Sequence, residues 1–133
     1  MERSFILFGL IFLFFGIVLG AFAAHYLETI QVSEAKIESF KVGVSYLFYS
    51  GLGLMVIGAL REKFDFNMKI HFRMIFFGTI LFSGSIFVLA LSEKMNVDLT
   101  SFFGPVTPIG GLCMIIGWFT LVVKYFRQVR SAK

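Results

Sequence analysis

Charge is missing from four long stretches of this sequence. Residues 5–24, 42–60, 74–92 and 105–123 contain no Asp, Glu, Lys, Arg or His. Each runs to about 20 residues, enough to cross a hydrocarbon layer of ~30 Å as a helix rising ~1.5 Å per residue. No charged side chain lies at mid-depth in any of them, which argues against a proton- or ion-coupled exchanger, because such carriers keep a charge there despite its cost. There is one cysteine, Cys113, inside the fourth stretch. It excludes an intrachain disulfide and reads as a small packing residue. Cys/His metal spacings are absent, so no metal and no cofactor are expected. The two histidines, His25 and His71, fall on opposite sides of the layer and cannot sandwich one haem. A Ser-His-Asp set is missing too, since the acids Glu28, Glu34, Glu38, Glu93 and Asp98 sit in connections with nothing to orient one on His25. No motif fixes a reaction, and an enzyme is not expected.

What is present is apolar: 58% hydrophobic residues and 19 Phe in 133 positions. A soluble domain of this size lacks the interior to hide so much apolar side chain. The expected fold is all-α: a polytopic membrane protein whose residues 1–133 form a single four-helix transmembrane bundle. Its spans are placed at 5–24, 42–60, 74–92 and 105–126. The N-terminus, with Glu2-Arg3, an apolar run and Ala21-Phe22-Ala23, resembles a secretory signal with a cleavage site. The run is longer than a usual signal core and three more spans follow, so the segment is expected to stay as the first span.

Basic residues give the threading. Arg3, Arg61, Lys63, Lys69, Arg73, Lys124, Arg127, Arg130 and Lys133 fall on one side, against Lys36, Lys41 and Lys94 on the other. The positive-inside rule puts both termini in the cytoplasm. The net charge of +4 then reflects topology and lipid headgroup contact, not nucleic acid. Trp118 and Tyr125 fit interfacial positions, and His71, between Lys69 and Arg73, reads as facing headgroups. In the first connection Ser33 can cap a helix with Glu34 in its first turn. Ile37, Phe40 and Val44 share one face of it, giving a short amphipathic helix that runs into the second span, with Gly43 as a possible bend. Phe102 to Pro105 reads as an interfacial turn, because proline is tolerated in the first turn of the helix that follows.

In lipid, close approach at small residues drives helix association more than apolar burial does. Stripes occur in each span: Gly9, Gly16 and Gly20; then Gly43, Tyr46, Ser50 and Gly53; then Gly78 and Ser85 with Gly84 beside them; then Gly110, Cys113, Gly117 and Thr120. Helix contacts are expected at Gly16, Gly20, Gly43, Gly53, Gly84, Gly110, Gly111 and Gly117. The remaining polar groups, His25, Tyr46, Ser50, Ser83, Ser85 and Thr107, lie towards the outer half. They could line one polar pocket for a lipid headgroup, a quinone-like ring or a peptide end. In the bland alternative, His25 bonds the turn at Thr107 and locks spans one and four.

Three strings have a wider likeness: Gly20-Ala21-Phe22-Ala23-Ala24-His25, Phe82-Ser83-Gly84-Ser85, and Thr107-Pro108-Ile109-Gly110-Gly111 followed by Gly117-Trp118. In order and spacing the chain resembles the small membrane proteins that include bacterial YgdD and YwdK and the eukaryotic transmembrane protein 256. The resemblance implies four transmembrane helices and a family of uncharacterised function. Its motif residues here are Gly20, Phe22, His25, Tyr46, Ser83, Gly84, Ser85, Thr107, Pro108, Gly110 and Gly111. One departure stands out. Where the family often has Tyr-Gln followed shortly by His in its second span, this chain has Tyr46-Leu47-Phe48-Tyr49-Ser50. Chemistry resting on those two polar positions is not carried over, whereas a packing role survives at Ser50.

Two functions follow as expectations. The first is a non-enzymatic structural or accessory subunit of a membrane assembly, or a small oligomer, with membrane lipids and other membrane-protein subunits as partners. The second is a binder or carrier of a lipid or other hydrophobic small molecule through the outer polar pocket. A channel or transporter ranks lower, because the inner halves of spans one and four are apolar.

Overall fold

The computed structural model of the chain describes residues 2–132. It contains α1 (Glu2–His25), α2 (Glu34–Ala59), α3 (Lys69–Lys94), a single turn α4 (Thr100–Phe103) and α5 (Val106–Ser131), with a 3-10 turn at Arg61–Lys63 between α2 and α3. No strand occurs among the described residues. α1, α2, α3 and α5 are each long and apolar enough to cross a membrane.

Local chemistry sets the helix ends. Asn67 Oδ1 accepts from the Lys69 N–H at 2.9 Å and opens α3. Asp98 Oδ1 does the same for the Thr100 N–H at the start of α4, and that bond holds the Asp98 carboxyl below its ordinary pKa. Pro105 and Pro108 sit at the start of α5, where their missing N–H groups have no helical partner. The outer turns close through Gln31 and Asn96, both in the left-handed region at φ 60° and 52°. Ser33 stands at the α2 N-cap, but its hydroxyl does not cap the helix. It donates to Glu93 Oε2 at 2.8 Å, and the Ser33 N–H reaches Glu93 Oε1 at 3.3 Å, clasping the start of α2 to the end of α3. Gly43 does not interrupt α2, and Ile37, Phe40 and Val44 are buried along its one face as the pattern predicts. The amphipathic segment is therefore the first two turns of the span helix itself.

α1 packs on α2, α3 on α5, and α2 on α3. The bundle is thus a rhombus with α2 and α3 on its short diagonal and α1 and α5 at opposite corners. Two glycine crossings close the seams. A Cβ on Gly9 would stand 2.7 Å from the Gly51 carbonyl oxygen, and one on Gly51 would stand 2.9 Å from that of Gly9. Gly78 and Gly110 oppose each other in the same way, at 2.9 and 2.8 Å. Backbones can approach this closely only without side chains, which is the mode of association that lipid favours. Elsewhere a glycine receives a ring: Gly16 takes Phe48, Gly43 takes Phe87 and Gly53 takes Trp118. Gly20 and Gly111 make ordinary contacts with Val44 and Phe82, and Gly117 packs on Met74 and Ile75. Gly84 corrects the expectation of a contact there. Nothing lies within 4 Å of its Cβ position, because it faces an open cleft between α1 and α3.

α1 meets α3 through a ladder of rings. Phe5 lies 4.5 Å from Phe72, while Phe8 and Phe12 lie 4.6 and 5.4 Å from Phe76. At the basic end, Gln128 of α5 donates to the Lys63 carbonyl at 2.7 Å and accepts from the Asp65 N–H at 3.0 Å, fixing the α2–α3 turn. Outward faces, such as Leu7, Leu10, Phe14 and Ile17 on α1, remain exposed and apolar, as a helix in hydrocarbon requires.

Candidate functional site

The outer polar groups do not form one pocket; they divide into separate bonds. Ser83 Oγ donates to the Gly43 carbonyl at 2.8 Å, joining α3 to α2. Ser85 and Thr107 share a hydroxyl bond of 2.7 Å between α3 and α5. Deeper in, Ser50 Oγ lies 2.7 Å from Thr79 Oγ1, which is also 2.7 Å from the Ile75 carbonyl and 3.3 Å from Met114 Sδ. Each of these serine and threonine hydroxyls is thus engaged between helices. His25 joins none of them. It is exposed at the end of α1 and does not lock α1 to α5, because those helices occupy opposite corners of the rhombus.

His71 also departs from its expected place. It is 2% exposed, with Nδ1 3.0 Å from Thr120 Oγ1. The Thr120 hydroxyl is 2.7 Å from the Ile116 carbonyl, which takes its proton, so the imidazole donates from Nδ1. Nε2 is then an acceptor, buried and without a partner among the described residues. Lys69 and Arg73, two positions away on either side, project from the opposite face of the helix and say nothing of where the ring points. No group of three metal-ligating side chains occurs among the described residues.

Two lateral clefts open between the helices of the rhombus. The α1/α3 cleft, about 280 Å³, is walled by Phe8, Phe12, Phe76 and Phe87, and Ser83 on its floor is already bonded to Gly43. The α2/α5 cleft is larger, about 510 Å³, and is lined by Tyr46, Tyr49, Ser50, Phe82, Gly111, Met114, Ile115 and Trp118. The Tyr46 ring lies 4.8 Å from Phe82 and 5.8 Å from Tyr49. Trp118 rests on Gly53 in the middle of α5, not at the membrane interface where its type is most common. Of the six polar residues singled out in the sequence, Tyr46 and Ser50 line this cleft and His25, Ser83, Ser85 and Thr107 do not. Tyr49 and Trp118 complete it. Their signal was available, since an aromatic residue with a polar edge is out of place in the centre of an uncharged span.

Comparison with known proteins agrees with this architecture. Residues 19–111 match the family described as "Protein of unknown function (DUF423)". The matched segment contains the His25, Ser83–Ser85 and Thr107–Gly111 strings. A UPF0382 membrane protein of Staphylococcus epidermidis is 36% identical over 121 residues, covering 91% of this chain and 93% of the relative. The UPF0382 membrane protein YwdK of Bacillus subtilis is 34% identical over 123 residues, covering 91% and 94%. No solved structure matches the chain. The likeness carried by the three strings thus holds across nearly the whole length, and the chain belongs to the DUF423/UPF0382 family of membrane proteins.

Proposed function

We propose that this is a non-enzymatic protein of the bacterial cytoplasmic membrane, both termini inside, that binds a hydrophobic small molecule from the side in the α2/α5 cleft. One observation carries this reading: the cleft is of ligand size, about 510 Å³, is walled by aromatic side chains, and is the larger of the two lateral clefts. The site lies deeper than the outer polar pocket expected from sequence. The accessory-subunit reading would draw on the outward ridge of α1, but lipid covers such a face equally well, so nothing there selects a protein partner.

The reading is tested by native mass spectrometry of protein released from mild detergent. A one-to-one apolar adduct is expected on the wild type and not on Gly111→Phe, whose ring would fill the cleft. A Cβ at Gly111 makes only ordinary contact with Phe82, so the backbone accepts a side chain there without moving. Bare chain in both proteins would remove the reading.

A further inference from the structure

The α2/α5 cleft contains hydrogen-bond donors with nothing to donate to. Tyr46, Tyr49 and Trp118 all belong to its lining, and neither the two phenols nor the indole N–H has a hydrogen-bond partner among the described residues. Their depth makes this costly. The uncharged stretches 42–60 and 105–123 are centred on residues 51 and 114. At ~1.5 Å per residue, Tyr46, Tyr49 and Trp118 all lie within about 8 Å of those centres. Water does not reach that level, and a polar group left unpaired in hydrocarbon costs several kcal/mol. Tyr49 is 66% exposed, so it is not there to fill the core.

The neighbouring hydroxyls cannot relieve them. Ser50 is engaged with Thr79, and the nearest acyl esters belong to the interface, well above this level. The α1/α3 cleft is the internal control. It is similarly open to lipid but has no unpaired donor, which is what a cleft filled by plain acyl chain needs.

On the reading that the α2/α5 cleft is a binding site, we infer that its ligand is an apolar ring bearing carbonyl acceptors, of the quinone class, seated against Tyr46, Tyr49 and Trp118. Such a molecule dissolves at mid-depth, presents acceptors without donors, and offers a flat face to aromatic walls.

Trp118 is the only tryptophan in the chain, so its fluorescence reports on the cleft alone. The probe is a 1,4-benzoquinone with a decyl tail, titrated into liposomes containing the full-length protein. Saturable quenching is expected, weakened about tenfold in the Tyr46→Phe/Tyr49→Phe double variant. That variant keeps both rings and so keeps the fold. Decylbenzene, which has the same tail and no carbonyl, should compete poorly. If it competes as well as the quinone and the double variant binds like wild type, the cleft binds apolar molecules and the inferred ligand class is wrong. Linear, unsaturable quenching would defeat the binding reading itself. A double variant that loses a crosslinkable dimer while quenching is unchanged would assign the donors to a second copy of the chain and overturn the inference.

Discussion

The two outer corners of the rhombus are fastened by different means. α1 is held by shape: the Gly9–Gly51 crossing on one side and the Phe5, Phe8, Phe12 ladder on the other, with no side-chain hydrogen bond to another span among the described residues. α5 has a matching crossing at Gly78–Gly110 and adds three polar ties to α3: His71–Thr120, Ser85–Thr107 and the Thr79–Met114 contact. In lipid such bonds contribute modestly, about 0.6 kcal/mol on average, because the separated helices also find partners. Their value at this corner is directional. They set the rotation of α5 so that Trp118 and Gly111 face α2 and form the cleft. The α1 corner, lacking them, presents only a satisfied apolar groove.

The comparison can be broken most forcefully at the glycine crossings. Gly110→Ala places a methyl group against the α3 backbone at Phe82 and Gly78, where no side chain can yield. A loss of about 3 kcal/mol is expected in denaturant unfolding from mixed micelles. Gly9→Ala meets Met55 Cγ at 2.5 Å as well as the Gly51 carbonyl. The methionine can swing away but the Gly51 carbonyl cannot, so the cost should be somewhat smaller, about 2 kcal/mol. Equal losses at both sites would mean that the backbone contact alone sets the cost and the methionine adds nothing.

A smaller effect sharpens the same contrast. A double-mutant cycle of Thr79→Val and Ser50→Ala should give a coupling of about 1 kcal/mol across the α2–α3 diagonal. A coupling near zero would show that the short hydroxyl contact does not hold the two helices. Smallest of all, Gly84→Ala should leave stability unchanged or raise it by less than about 1 kcal/mol, since its methyl group enters open space and alanine favours helix. Marked destabilisation there would mean that the α1/α3 cleft is closed in the membrane.

The spans were legible because hydrocarbon forbids charge, and that rule acts on composition alone. The seams were half legible. Gly9, Gly78 and Gly110 stood out in stripes, but Gly51 did not. α2 uses two small-residue faces, Gly51 towards α1 and Gly53 towards Trp118, and a single 3-4-3 stripe follows only one of them. His71 is not legible from its charged neighbours, because a helix turns Lys69 and Arg73 to the side opposite the buried ring. The outer polar cluster failed for a topological reason. Depth along a span can be counted from the chain, but which spans are neighbours cannot, and only adjacency separates His25 from Thr107.

The Gln128 clamp bears on how the molecule is made. The turn between α2 and α3 is tied to the rest of the bundle by a side chain from the last turn of α5, 63 and 65 residues further along the chain. During synthesis that turn therefore waits for this fastening until α5 has been made. The basic end of the bundle thus closes only once all four spans are in place, and Gln128→Ala would leave the α2–α3 turn without that hold.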